Sequence, residues 1–402
     1  MTRLFSILSA FVLITALLCS PTAGTAHAAG QATPVDAKAI VGMPAGALEA
    51  AYGKASRTEP SECGFTWHIY SRDYQNYFMA GVRDQQVVAV YTTASTLCYG
   101  GDFALNSGRD AVRAALGAPV SYVRSGNSIA LLSDTDQRDM FAAGGNYVLV
   151  FYDVLKGTKV TSVMVVPQDD VVKTFIDKPP LTPELTNAYA RISIDLVNAA
   201  RARNGLKTLS SDALSNRLAL SRSNDMVSRD YFSHYTPENK SPMDLAREMG
   251  FRYSSFGENI AFGNNNAMLA HESFMNSAGH RSNVLKSAYT KIGAGVAYGG
   301  SRYVMLTNIF SNNTADAPAE PEPTAAPEPT AAPEPAAPGQ APLHDVNGDG
   351  AITITDYTLV RLDILGIKPL EGNAKTAADA NGDGQVTISD YTLIRLVILG
   401  IR

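Results

Sequence analysis

Cysteine is scarce: the chain of 402 residues has three, at positions 19, 63 and 98, which excludes a disulfide-dense scaffold. Positive charge is not in surplus either, with 33 Lys and Arg against 38 Asp and Glu. No basic stripe tracks a phosphate backbone, so no nucleic-acid partner is expected. After residue 20 there is no apolar run of 18 residues, so no transmembrane anchor is expected in the mature chain. No compact HExxH motif occurs, and no region offers the paired acids of a recognisable glycoside hydrolase. What remains is a 45% apolar chain, long enough for two or three domains with cores of their own.

The N-terminus reads as a secretory signal over residues 1–28. Arg3 supplies the positive start, Leu4 to Ser20 is uncharged and mainly apolar, and Ala26-His27-Ala28 has the small-x-small pattern of a cleavage site. A membrane anchor is the alternative, but 17 residues is short for a span and no charged stop follows. The expected location is therefore extracellular. Leu18 is not the small residue that usually precedes a lipidated cysteine, so Cys19 reads as part of the apolar segment. Cys63 and Cys98 could pair outside the cell or stay as buried thiols, and sequence leaves both open.

Residues 35–170 read as an α+β region with a degenerate internal duplication. Gly46 to Gly53 and Asp110 to Gly117 share a short helix ending in glycine. Each precedes strand-like runs, broken at Arg83-Asp84-Gln85 and at Lys156-Gly157-Thr158. The stretches Ile40-Val41-Gly42-Met43, Glu59 to Phe65 and Val87 to Tyr91 resemble the CAP-associated N-terminal domain of secreted bacterial proteins.

Residues 182–312 change to helices followed by strands. Thr182-Pro183 starts a helix that Asn204-Gly205 stops, Ser211 is expected to cap a second, and Ser241-Pro242 opens a third closed by Gly250. Ile292 to Ala297 and Tyr303 to Phe310 alternate around Gly299-Gly300-Ser301, a hairpin signal. Candidate chemistry lies in Ser233-His234-Tyr235-Thr236-Pro237, Phe256-Gly257-Glu258-Asn259-Ile260 and Ser277-Ala278-Gly279-His280-Arg281. Two imidazoles and a carboxylate suit a divalent ion, or a histidine base oriented by Glu258. On spacing alone, structural or surface roles fit these residues better.

His234 with its Thr-Pro, Gly257-Glu258-Asn259-Ile260, and Phe274 to Leu285 resemble the signatures of the CAP superfamily of cysteine-rich secretory proteins, in its bacterial SCP-like branch. The resemblance implies an α-β-α sandwich with a cleft tetrad of two His and two Glu. Three members map to His234, Glu258 and His280, with the two histidines as candidate zinc ligands. The fourth falls on Glu272 or on Ser277, where many relatives have Glu. The implied role is capture of an unknown cleft ligand, such as a lipid, wall fragment or polysaccharide. The alternative is a metal-assisted hydrolase acting on peptide, cell-wall or polysaccharide bonds.

Nine of the 21 prolines lie between Pro318 and Pro342, in a repeat of Glu-Pro-Thr-Ala-Ala-Pro. Residues 315–343 therefore read as an extended linker of up to roughly 75 Å. Beyond it, Asp345 to Asp356 and Asp379 to Asp390 each fit a 12-residue calcium loop followed by a helix, Tyr357 to Leu365 and Tyr391 to Leu399. The ligands expected are Asp345, Asn347, Asp349, Ala351 and Asp356 for one ion, and Asp379, Asn381, Asp383, Gln385 and Asp390 for the other. Residues 345–367 and 379–401 agree at 17 of 23 positions, so the match is not accidental. This pair of loop-helix units, without clear entering helices, resembles a type I dockerin across residues 344–402. The resemblance implies a small all-α module folded around two Ca2+ ions. It also implies a cohesin module on a cellulosome scaffoldin as partner, read by Ile354, Thr355 and Arg361 and by Ile388, Ser389 and Arg395.

Overall fold

The computed structural model describes residues 33–125, 128–131, 136–172, 180–263, 266–314, 344–348, 350, 352, 354–364, 369–387, 390–391 and 393–394. The expected signal segment 1–28 and linker 315–343 lie outside these residues. The chain divides into two compact units, Met1–Glu320 and Pro321–Arg402.

The first unit begins with β1 (Val35–Asp36), α1 (Ala37–Ile40), α2 (Ala45–Tyr52), β2 (Arg57–Pro60), β3 (Thr66–Tyr70), β4 (Phe78–Arg83), β5 (Gln86–Thr92), β6 (Leu97–Tyr99) and β7 (Phe103–Ala104). It continues through α3 (Arg109–Leu116), β8 (Tyr122–Ser125), β9 (Ser128–Leu131), β10 (Arg138–Ala143), β11 (Asn146–Asp153), β12 (Lys159–Pro167) and α4 (Gln168–Val172). Strands dominate, and the helices are short. The main sheet has seven strands in the order β10-β11-β12-β5-β4-β3-β2. Its two halves meet at the antiparallel pair β5 and β12, where Tyr91 lies opposite Met164.

The duplication is visible in local geometry. Both α2 and α3 end at a glycine with positive φ, Gly53 at 79° and Gly117 at 85°, whose N–H closes the last turn onto Glu49 and Arg113. The turn between β4 and β5 places Asp84 and Gln85 at φ 51° and 61°, as a two-residue hairpin loop requires. Alternation along the strands gives the sheet two apolar faces. Phe78, Val90, Val150 and Val163 pack toward Ile40, Leu48 and Val112. Trp67, Met79, Tyr91, Phe151 and Met164 form the other face.

That second face is covered by the next part of the chain: α5 (Pro183–Arg203), β13 (Ser210–Ser211), α6 (Ala213–Ser228), α7 (Pro242–Glu248), β14 (Phe256–Phe262), α8 (Ala267–Met275), α9 (Ala278–Val284), β15 (Lys291–Tyr298) and β16 (Val304–Ser311). Tyr189, Ile192 and Leu196 of α5 and Met268, Leu269 and Phe274 of α8 share one core with the sheet's Trp67, Tyr91 and Met164. The two halves of this unit are therefore one apolar body.

Thr182 caps α5 ahead of Pro183, and α7 carries a full capping box between Ser241 and Asp244. The expected cap of α6, Ser211, is one residue early. Asp212 is the cap, accepting from Ser215 N at 2.8 Å, while Ser211 pairs with Ile292 as a strand residue. The second sheet has the order β13-β15-β16-β14. On one side, Leu214 and Leu218 of α6 meet Ile309, and on the other Val197 and Ala200 of α5 meet Ile292 and Phe310. Helix α6 lies so close that a Cβ on Gly293 or Gly295 would stand 2.1 Å from its backbone.

Cys63 and Cys98 are buried and not bridged to one another. The Cys63 thiol donates to the Asp170 carbonyl at 3.5 Å, and Cys98 lies in β6 opposite Asp36.

In the second unit, α10 (Ile354–Ile364) follows the first loop, starting ahead of the expected Tyr357. A further helix, α11 (Gly372–Ala378), leads directly into the second loop, so an entering helix exists where none was expected. Its alanine content explains the helix, while its shortness hid any period. The second expected helix, 391–399, is described only through residue 394 and is helical at Tyr391. Val346, Val360, Leu370, Ala377, Ala378 and Ile394 form a small core. Tyr357 and Tyr391, at the same position in each repeat, stack with ring centroids 4.0 Å apart.

Candidate functional site

The cleft residues are built on α6, the loop after it, β14 and α9. Arg222 interrupts the apolar ridge Leu214, Leu218, Met226 on α6 and is 1% exposed. Its guanidinium donates to Glu258 Oε2 at 3.1 Å, to the Tyr231 hydroxyl at 2.8 Å and to the Ser233 carbonyl at 2.7 Å. One buried cation thus fixes both the carboxylate and the loop bearing His234. His234 Nδ1 and Glu258 Oε1 are 2.8 Å apart. Since a carboxylate accepts, the imidazole donates through Nδ1 and keeps Nε2 outward on a half-exposed ring.

Alternation along β14 sends Glu258 one way and Gly257 and Asn259 the other. Asn259 Nδ2 donates to the His280 carbonyl at 3.0 Å, and Asn283 Nδ2 bridges to the Glu258 carbonyl at 3.1 Å and to Asn259 Oδ1 at 2.9 Å. The Tyr289 hydroxyl, donating to the Phe256 carbonyl at 2.9 Å, occupies the place of a side chain on Gly257, whose Cβ would be 2.3 Å from it. The Gly-Glu-Asn and Gly-His-Arg-Ser-Asn motifs are therefore largely a clasp locking α9 to β14. His280 packs on Phe274 at 5.0 Å. Burial, helped by repulsion from His234, pushes the His280 pKa below its ordinary 6.5. Its ring is near enough to His234 to feel that repulsion.

The structure thus pairs His234 with Glu258 and leaves His280 close enough to feel His234, but neither candidate for the fourth position joins the pair. Glu272 is buried on α8 facing the first sheet, where its carboxyl accepts from Tyr91 at 2.7 Å, from Ser162 at 2.5 Å and from Thr161 at 3.4 Å. Burial raises its pKa against these donors. Ser277 stands at the N-cap of α9 without a side-chain bond to the helix. The zinc reading is also weakened. Both Glu258 oxygens are engaged, and among the described residues no group of three or more His, Cys, Asp or Glu side chains is arranged to hold a metal. Sequence reasoning missed Arg222, though an arginine within an apolar ridge is the signal that could have found it.

In the second unit the two loops repeat one pattern. Asp345 Oδ2 accepts from Gly350 N at 2.9 Å, and Asp379 Oδ2 from Gly384 N at 2.7 Å. At position 12, Asp356 Oδ1 accepts from Asn347 N at 3.0 Å, and Asp390 Oδ1 from Asn381 N at 3.0 Å. Asp356 and Asp390 are fully buried. Burial works to raise Asp390, but amide donors from Thr387 and Asn381 outweigh it and lower its pKa. Two loops of oxygen donors wrapped by their own amides fit a hard cation. Asn347, Asn381, Asp383 and Gln385 lie in these loops, while Asp349 and Ala351 lie outside the described residues. Of the expected recognition residues, Ile354, Thr355 and Arg361 are on α10, and Ile388, Ser389 and Arg395 lie outside the described residues.

A helix-flanked sheet carrying the His234–Glu258 pair, and a separate duplicated loop unit, define an SCP-type body with a module of two oxygen-lined loops. Comparison with known families makes this specific. Residues 41–174 match the CAP-associated N-terminal family, 194–311 the cysteine-rich secretory protein (CAP) family and 343–399 the dockerin type I domain. The chain carries all three. It is similar to the uncharacterized protein YkwD of Bacillus subtilis, 38% identical over 119 residues, covering 30% of this chain and 46% of that protein. It is also similar to the uncharacterized membrane protein YlbC of Bacillus subtilis, 26% identical over 262 residues, covering 61% of this chain and 75% of the relative. Among solved structures, an extracellular SCP-domain protein from Bacillus anthracis matches with TM-score 0.59 at 24% identity, covering 72% of this chain and 99% of that one. A cysteine-rich secretory protein from Staphylococcus aureus matches with TM-score 0.57 at 19% identity, covering 69% and 94%. These two show the fold. Among the described residues no helix is long and apolar enough to cross a membrane.

Proposed function

We propose that the protein is exported, docks through its calcium-loaded dockerin to a cohesin module of a scaffoldin, and presents the CAP cleft to an extracellular ligand. The domain limits are those expected from sequence: 35–170, 182–312, a linker over 315–343 and a dockerin over 344–402. Calcium would be held by the ten loop positions from Asp345 to Asp356 and from Asp379 to Asp390, ordering the loops that carry the cohesin-reading residues. In the cleft, His234 Nε2 and the His280 ring are the groups that meet the ligand, and Glu258 orients His234.

The observation that carries the binding reading is the double engagement of Glu258, by Arg222 at 3.1 Å and His234 at 2.8 Å. A carboxylate so held is an orienting group and leaves two imidazoles as the available donors and acceptors. A hydrolase remains the second reading, because the same 2.8 Å contact is the base-orienter geometry of acid-base catalysis. Zinc would have to rest on the two imidazoles alone.

The test is titration of lipid, peptidoglycan-fragment, polysaccharide and peptide probes, and of Zn2+, into the full chain and into His234→Ala and His280→Ala. Binding weakened about tenfold or more in both variants without turnover supports capture. Turnover abolished in both would replace capture by hydrolysis. Binding unchanged in both would remove the cleft from the account.

A further inference from the structure

Between the first sheet and helices α5, α8 and α9 lies a cavity of about 340 Å³, separate from the His234 cleft. Its size is at the lower end of small-molecule sites. Four cationic side chains line it: Lys156, Lys159, Arg203 and Arg281. Arg281 is neutralised by Asp153 at 2.8 Å. The other three pair with no carboxylate among the described residues.

Arg203 is the informative one. It sits at the end of α5, and burial pushes its pKa down, the mark of a desolvated guanidinium. Both of its hydrogen bonds leave from Nη1, to the Thr93 hydroxyl and, at 3.0 Å, to the Thr161 carbonyl. Nε and Nη2 have no bond to the described residues and, on a side chain that is only partly buried, are free to meet a ligand in the cavity. The nearest acid, Glu272, is engaged by the Tyr91, Ser162 and Thr161 hydroxyls and does not form an ion pair with it. His271, also on the wall, is pushed by burial to about 3 and adds no charge. Lys156 and Lys159 are exposed and stand at the mouth. Between the cations the wall offers the uncharged polar side chains Gln75, Ser95, Asn106 and Asn204, which suit hydroxyl groups.

We propose that this cavity binds a small hydroxylated anion, a hexuronate or a hexose phosphate, its charge on Arg203 with Lys156 and Lys159 closing over it. The planar fork of Arg203 matches either carboxylate or phosphate. The site is assembled from both halves of the first unit, so occupancy also ties the halves together.

The experiment is calorimetric titration of the full chain in calcium with D-glucuronate, D-glucose 6-phosphate, inorganic phosphate and D-glucose. One anionic sugar is expected to bind once per chain, at least about tenfold more tightly than glucose or inorganic phosphate. The stronger of the two distinguishes a carboxylate from a phosphate ligand. Lys156→Ala/Lys159→Ala, changed only at exposed positions, is expected to keep its melting temperature and lose about tenfold in affinity. Arg203→Lys keeps the charge without the fork and is expected to weaken binding as well. Absence of binding at about 10 mM, equal binding of glucose or inorganic phosphate, or undiminished affinity in the lysine double variant would overturn the proposal.

Discussion

The phenol of Tyr91, at the centre of the first sheet, donates a 2.7 Å hydrogen bond to Glu272 on α8. The residue that sequence resemblance offers to the cleft is thus spent on joining the two halves of the body. Other polar contacts across the same junction include Arg191 to Glu59 at 2.6 Å, Arg57 to Asp195 at 2.6 Å and Arg281 to Asp153 at 2.8 Å. One apolar core runs through both halves, so the His234–Glu258 pair belongs to one compact unit.

Glu272→Ala should leave two buried hydroxyls without their acceptor and cost about 1–3 kcal/mol, read by calorimetric unfolding. Glu272→Gln keeps an acceptor without charge. Because burial raises this carboxyl above 4.5, the folded state holds its proton more tightly than the unfolded chain. Its contribution is full below that value and is lost as pH rises through the raised pKa. The Gln variant should therefore lose this pH dependence and be no less stable than the parent at about pH 8.

Arg222→Ala should be among the costliest changes in the cleft. It leaves buried Glu258 without its cation and frees the Tyr231 and Ser233 partners, an expected loss of about 3–5 kcal/mol by denaturant unfolding. Arg222→Lys retains charge but cannot reach three acceptors with a planar fork, and should recover only part of the stability.

His280 should titrate below 6.5 by NMR, and His234→Ala should move it upward by removing the repulsion. Its depressed pKa means that the folded state binds this proton less readily than the unfolded chain. Its stabilising contribution is present above 6.5 and declines as pH falls through the window below it.

Gly295→Ala places a methyl 2.1 Å from the Leu220 nitrogen of α6, and backbone cannot move aside as a side-chain tip can. About 3 kcal/mol or more of stability should be lost. Gly257→Ala instead meets the Tyr289 hydroxyl at 2.3 Å and should unfasten α9 from β14, reducing ligand affinity more than stability.

Local signals carried much of this structure. Thr182-Pro183, the capping box at Ser241 and the hairpins at Asp84-Gln85 and Lys156-Gly157-Thr158 stand where residue chemistry demands them. His234 contacts Glu258 at 2.8 Å, and His280 is near enough to His234 to feel its repulsion. Arg222, the fate of Glu272 and the cation-lined cavity were not legible, because each depends on which helix faces which sheet. Burial of an arginine or pairing of Tyr91 with Glu272, 181 residues apart, leaves no periodic trace. Helix α11 escaped because seven residues are too few to show a helical repeat.

The proposed connection to a scaffoldin depends on calcium, so the decisive measurement is capture of the full chain on a cohesin array, with and without EDTA, alongside the circular dichroism of residues 344–402. Binding to at least one cohesin in calcium, with binding and helicity both lost on chelation and restored by added calcium, is the predicted result. Cohesin binding and helicity that persist in EDTA would contradict it.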